Sequence, residues 1–462
     1  IVSVNFTMVI AAAAWLPLLL ACIEMVVRKL EEGGASNFLP VPYVALGAVV
    51  LAIQILAGHV EITYYTLMVM GLFALWRLAA VLRRLRSWRP VVRGGAWLLI
   101  MVSLGVALGG VQILPLYELV RQSFREGSAT LQQVRDWAWP SRQIITFLLP
   151  DFYGNPTHHA YYDIWQRAIV PVTQNALGQP LTTIDWGVKN YVEGGNYLGI
   201  ATLVLAITGV LAGVGGYTKS RGQTASRPEA RPAGGDSLPA HAAGCDRRTV
   251  RPAHVGFFAI LAVLSLLFAF GTPLYAILYY GLPGYSQLHS AFRWVFPYTL
   301  SMAALAGFGL DWLLSQRAAR KEEGQRKKEG LASAPWRLAR LLAWLSVVAG
   351  AGALLLFVLS VLRPDPFIAL GERLLNWGFW SDLAQSRGFS DGAMLWSYEA
   401  VQIARFGAMA LLTGLGLLWL MRPAEATAGR RGSGARQVFL AGMPLVLVLL
   451  LDVWLAGRGF NP

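Results

Sequence analysis

The 462-residue chain is 55% hydrophobic and only 14% charged, against about 25% charged in an ordinary soluble domain, and its mean hydropathy is +0.50. The apolar residues stand in long blocks rather than in stripes with a solvated face, which excludes a water-soluble globule and indicates a polytopic membrane protein. A net charge of +14 would point a soluble protein towards nucleic acid, so the placement of the charges decides their meaning. Cys22 lies in an apolar block and Cys245 in a basic stretch, which suits neither a disulfide nor a metal site.

A hydrocarbon core about 30 Å thick needs about 20 helical residues. Ten segments qualify or nearly do: 4–27, 41–58, 62–82, 95–114, 197–216, 255–271, 293–315, 336–362, 397–421 and 437–456. Only Gly58, His59, Val60 and Glu61 separate the second from the third, which reads as a tight helical hairpin or one kinked segment. The expected fold is therefore an all-α transmembrane bundle of about ten helices. From Ile1 onward the sequence shows no initiator Met, basic n-region or cleavage site, so no signal peptide is expected and the chain reads as starting partway into a longer protein.

Orientation follows from the basic residues, which are retained on the cytoplasmic side. Alternate connections at 28–40, 83–94, 217–254, 316–335 and 422–436 hold 24 of the 39 basic residues. The positive excess is thus topological, and nucleic acid is not an expected partner. Ile1, the Gly58–Glu61 turn, 115–196, 272–292, 363–396 and Pro462 are placed outside. Connection 217–254 lacks an apolar period and reads as a disordered linker, and 316–335 as a charged, solvated helical extension. The organisation is then 1–114 with helices one to four, 115–196 as a large exoplasmic loop, 197–315 with helices five to seven, 316–335 as a charged connection, and 336–462 with helices eight to ten.

The 115–196 loop is the expected seat of function. Pro115 at the first position of a helix would lay Leu116, Leu119, Val120 and Phe124 on the membrane surface. Glu118, Arg121 and Arg125 would share the other face, as a local ion pair or as arginines facing a phosphate. Further on, Trp137, Trp139, Tyr153, Tyr161, Tyr162, Trp165, Trp186 and Tyr191 interleave with Asp136, Asp151, Asp163, Asp185 and Glu193. That composition fits a sugar site or an interfacial aromatic belt. His158, His159 and Asp163 read as a solvated loop rather than a metal site. His59 and Glu61 interrupt apolar segments, where polar residues need a reason. His289 and Arg293 stand at i, i+4 on one outward rim. Arg77, Arg405, Asp311, Glu24 and Asp452 lie in or at the ends of apolar segments, and most are expected to snorkel to an interface.

Several strings resemble the bacterial YfhO-like membrane proteins, within the wider GT-C group of integral-membrane glycosyltransferases. They are AAAAWLPLLL (11–20), LAGHVEITYYTLM (56–68), GGVQILPLYELVRQSFREG (109–127), FLLPDFYGNP (147–156), NYVEGGNYLGIATLVLA (190–206) and SQLHSAFRWVFPYTLSMAALAGFGLDWLL (286–314). The resemblance covers about residues 1–315. It implies a GT-C-like bundle in the bacterial cytoplasmic (inner) membrane that moves a sugar from a polyprenyl-phosphate carrier to an exoplasmic envelope glycan or polymer. Beyond that donor no cofactor or metal is expected. His59, Glu118, Arg125, Glu193 and Arg293 match family positions, while His59-Val60-Glu61 stands where the family has His-Pro-Gln. With Arg121, Asp151 and His289 these form the expected substrate-binding set. The resemblance implies that Arg293 and Arg125 would neutralise the leaving phosphate and that Glu118 and Glu193 would orient sugar or acceptor. GT-C enzymes place an acidic catalytic residue in their first exoplasmic loop, so the general base is expected upstream of Ile1. A lipid-linked sugar flippase and a non-catalytic scaffold for glycan assembly are the competing classes.

Overall fold

The computed structural model describes residues 7–31, 40–122, 130–189, 191–223, 252–288, 290–323, 334–378, 381–422 and 434–458. In chain order its helices are α1 (Thr7–Ala13), α2 (Leu16–Glu31), α3 (Val41–Leu56), α4 (Val60–Leu85), α5 (Trp88–Leu108), α6 (Gly110–Gln122), α7 (Leu131–Asp136), α8 (Tyr191–Gly194) and α9 (Ile200–Gln223). They continue with α10 (Pro252–Ala269), α11 (Tyr275–Gly281), α12 (Val295–Glu323), α13 (Ala334–Leu362), α14 (Pro364–Leu375), α15 (Ser381–Arg387), α16 (Gly392–Leu420) and α17 (Gly434–Gly457). Within the described residues eight of the ten expected segments each fall on one helix, while 4–27 is split between α1 and α2 and 95–114 between α5 and α6. Among the described residues six stretches are long and apolar enough to cross a bilayer: Met8–Glu31, Val60–Leu85, Trp88–Leu108, Ala334–Leu362, Gly392–Leu420 and Leu440–Gly457. Val41–Leu56, Ile200–Val214 and Ala253–Ala269 are apolar but shorter. The chain is a multi-pass membrane protein built on a helical bundle.

Two compact units divide it, one made of 1–141, 260–300 and 459–462, the other of 142–259 and 301–458. The expected linker 217–254 lies mostly outside the described residues, although 217–223 continue α9. Likewise 316–323 extend α12 as expected, and 324–333 lie outside the description.

In the first unit, Pro17 has no N–H to give Ala13, and the helix breaks between α1 and α2. Leu16, Leu19, Ile23 and Val26 of α2 are buried with Val44 and Leu51 of α3 and Val69 and Phe73 of α4. The polar residues here do not snorkel, contrary to expectation. Arg77 is 3% exposed and donates to Glu24 at 2.5 Å and to Glu31 at 3.5 Å, while Arg28 holds Glu24 at 2.6 Å. Opposite charges within reach on neighbouring helices offset the desolvation that would otherwise push each one to the interface. Buried Gln54 likewise donates to Thr66 at 2.7 Å. A second correction concerns Pro115, which sits inside α6 rather than at its first position, because the preceding helix already ends at Leu108 and a new one starts at Gly110.

In the second unit, α13 and α16 pack backbone against backbone. A Cβ on Gly350 would lie 2.5 Å from the Leu411 nitrogen and 2.7 Å from the Gly407 carbonyl, and one on Gly414 would lie 2.7 Å from the Ala343 carbonyl. Ser346 adds a hydrogen bond to the Ala410 carbonyl at 2.8 Å. Small residues allow this approach where lipid tails give helices no hydrophobic drive to associate. Gly350→Leu is expected to cost about 1–3 kcal/mol through overpacking, read as a lower thermal midpoint in detergent. Gly352→Leu, where a Cβ meets nothing within 4 Å, should leave the midpoint unchanged.

The all-α expectation needs amendment between the helices. β1 (Gly154–Asn155) pairs with β4 (Ile184–Asp185), and β2 (Ala160–Asp163) with β3 (Ala168–Pro171), both antiparallel. The β2–β3 register runs from Ala160 opposite Pro171 to Asp163 opposite Ala168. Asp163 closes the turn, its Oδ1 accepting from the Trp165 and Gln166 N–H groups at 2.8 and 2.9 Å. Runs of two to four residues are too short to show a period of two against a polar loop. Below these strands Tyr153, Trp186, Phe389, Leu395 and Tyr398 form a buried core. Tyr153 and Trp186 are therefore core residues, neither an interfacial belt nor an open sugar platform. Trp139, in the first unit, is also buried and stacks on Phe270 with centroids 5.4 Å apart.

Candidate functional site

The first unit brings together three of the sequence-selected residues. Gly58 takes a positive φ of 79°, a conformation that costs glycine little, and turns the chain between α3 and α4. His59 then caps α4, its Nδ1 accepting from the Ile62 N–H at 3.2 Å. Glu61 sits in the first helical turn, where a carboxylate suits the positive end of the dipole. Arg293 comes from a short 3-10 turn, Ala291–Trp294, just before α12. Its Nη1 donates to Glu61 Oε2 in a very short contact and lies 3.3 Å from His59 Nε2, although 234 residues separate the two.

The cap bond fixes the imidazole tautomer. Because Nδ1 accepts, the proton of the neutral ring resides on Nε2. Burial, followed by the Arg293 charge, holds the His59 pKa below its ordinary value, so the ring is neutral at pH 7. His59 Nε2–H and the Arg293 guanidinium are then neighbouring donors, and Glu61 pairs with the guanidinium. Arg293 and Glu61 retain 26% and 15% side-chain exposure. Two donors, one of them a permanent cation, at the start of a helix are the components of an anion site. Glu61 occupies part of it as an internal counter-ion.

An aromatic floor fixes this arrangement. Trp294 Nε1 donates to Tyr285 OH at 2.7 Å, and Tyr65 meets Trp294 edge-on with centroids 5.3 Å apart. Tyr64 OH donates to the Pro283 carbonyl at 2.9 Å and Tyr65 OH to Ser290 at 3.3 Å, tying the 283–294 loop to the start of α4. Burial pushes the Tyr285 phenol up to about 12, and Tyr275 is raised as well, again by burial first. Both are neutral scaffolding at physiological pH. Sequence reading passed over Tyr64, Tyr65, Tyr275, Tyr285 and Trp294. Tyr64 and Tyr65 follow His59 within two helical turns, which was the available signal.

Asp151 belongs to the second unit and is buried. Its Oδ1 accepts from Tyr191 OH at 2.7 Å and Asn155 Nδ2 at 3.2 Å, and its Oδ2 lies 3.8 Å from Arg405 Nη1. Arg405 in turn donates to the Asp452 carbonyl at 3.1 Å. Asp452, fully buried, accepts from Tyr197 OH at 2.7 Å and from the Ile200 N–H at 2.9 Å, so it caps α9 from α17. Neither Arg405 nor Asp452 snorkels; each is within reach of a partner in the bundle. His158 is no solvated loop residue, for its Nδ1 contacts Tyr398 OH at 2.8 Å, and burial is the first cause of its lowered pKa.

Of the remaining candidates, Glu118 alone has its side chain among the described residues. Glu118 is exposed on α6. Arg121 lies in α6 and Glu193 in α8, with their side chains outside the described residues, and Arg125 and His289 fall outside them altogether. Among the described residues no group of three or more His, Cys, Asp or Glu could hold a metal ion. Neither family models, curated proteins nor solved structures yield a match to this chain.

Proposed function

We propose that this chain forms the body of a GT-C-type membrane glycosyltransferase of the YfhO-like kind. It takes a sugar from a polyprenyl-phosphate carrier in the bacterial inner membrane and delivers it to an envelope glycan or polymer outside the cytoplasm. The observation that carries this reading is the donor pair of His59 and Arg293 at the end of an apolar span, where a lipid-borne phosphate would arrive. The family strings around both residues support it, as does the basic charge of the alternate connections, which favours the outer side for this end of α4.

In the proposed reaction the acceptor hydroxyl oxygen bonds to the anomeric carbon as the carbon–oxygen bond to phosphate breaks. The electron pair leaves with the phosphate, and a base takes the hydroxyl proton. Negative charge grows on the departing phosphate, and Arg293 with the His59 N–H stabilises it there. Glu61 must yield Arg293 to the phosphate. Glu61→Gln removes the competing charge while keeping the side-chain shape. It should tighten binding of polyprenyl monophosphate by about threefold to tenfold, measured on protein in lipid nanodiscs. Unchanged or weaker binding would remove the phosphate from this cluster.

A further inference from the structure

The second unit holds a cavity of about 260 Å³ whose lining includes Phe152, Trp186, Trp377, Leu395, Trp396 and Glu399. A cavity of about 150 Å³ accommodates benzene, so this one admits a ring with a compact head group. Among the described residues its wall is otherwise aromatic and aliphatic, and Glu399 is the one acidic residue in the lining. Glu399 is 6% exposed, and neither carboxyl oxygen has a hydrogen-bond partner among the described residues.

Buried carboxyl groups in folded proteins are almost always hydrogen-bonded or paired. Arg405 does not answer Glu399, since it is engaged with Asp151 and the Asp452 carbonyl. Among the described residues the charged neighbour of Glu399 is Asp151, of like sign. An anionic ligand would add a further negative charge beside these two carboxyls. A sugar would find the Trp396 indole N–H and Glu399 among otherwise apolar walls, too few partners for its ring of hydroxyls. A single carboxyl among indoles cannot replace the hydration shell of a metal ion. Indole and phenyl faces do attract organic cations, and most strongly away from water.

We infer that this cavity binds a small hydrophobic ammonium ion, with its charge answered by Glu399 and its body packed among Trp186, Trp377, Trp396 and Phe152. The inference is independent of the phosphate cluster and of sugar transfer.

The test is calorimetric titration of the full chain in nanodiscs with benzyltrimethylammonium and with its neutral isostere neopentylbenzene. The cation is expected to bind saturably and more tightly than the isostere. Glu399→Gln should weaken the cation by about tenfold or more and leave the isostere unchanged, and Trp396→Leu should weaken the cation as well. Equal affinity for cation and isostere in the wild-type protein, no binding of the cation, or unchanged cation affinity in Glu399→Gln would each overturn it. The wild-type comparison decides the matter even if the Glu399 variant does not fold.

Discussion

Arg293→Ala is expected to abolish sugar transfer, with a loss of about a hundredfold to a thousandfold or more, while the protein still reaches the membrane and melts as a folded bundle. The guanidinium reaches Glu61 and lies 3.3 Å from His59 Nε2, but it is a quarter exposed and the aromatic floor beneath it does not depend on it. Trp294, Tyr285 and Tyr65 hold each other through the Trp294–Tyr285 hydrogen bond and ring contacts. The loss should therefore fall on chemistry rather than folding. Arg293→Lys keeps the charge but not the planar fork that suits phosphate oxygens, so it should retain a small part of the activity. The check is release of labelled sugar from a polyprenyl-phosphate donor by wild type and both variants at matched protein levels. Wild-type activity in Arg293→Ala would exclude any role for this residue in the leaving step.

Asp151→Ala should have the opposite character, a large loss of stability. Asp151 is the point at which Tyr191, Asn155 and Arg405 meet, and its backbone carbonyl accepts from Tyr398 OH at 3.3 Å. Truncation takes the counter-charge from Arg405, which is 16% exposed, and leaves a phenol and an amide without their acceptor. Breaking a buried pair from one side costs about 3–5 kcal/mol, and most of that is expected as a lower unfolding midpoint in detergent. Asp151→Asn retains an acceptor for Tyr191 while removing the charge facing Arg405, so it should fall between alanine and wild type. If both variants melt with the wild type, the network is a surface ornament rather than the anchor of the 142–196 segment.

The helices were legible because apolar blocks of about 20 residues have few other uses; what the blocks did not show is where Pro17 and Gly109 break 4–27 and 95–114 into two helices each. His59, Glu61 and Arg293 were legible for the complementary reason, as polar groups set where apolar ones belong. Their convergence was not, because the contact spans 234 residues and local spacing carries no information at that distance. The same holds for Arg77 with Glu24, and for Asp452, which reaches Tyr197 and Ile200 from 255 and 252 residues away. Each looked like a candidate for snorkelling when taken alone, and its opposite number on another helix makes it a buried pair. The strands escaped notice because they are only two to four residues long. Trp139, Tyr153 and Trp186 illustrate a limit of composition: aromatics beside carboxylates describe a sugar site, a belt and a small core equally well, and burial alone separates the three.

The central claim is that His59 and Arg293 receive the phosphate of a lipid carrier, and binding of labelled polyprenyl monophosphate to nanodisc-embedded protein tests it most directly. Saturable binding to the wild type that is lost in Arg293→Ala and weakened in His59→Ala is the predicted result. Equal binding by all three proteins would contradict it.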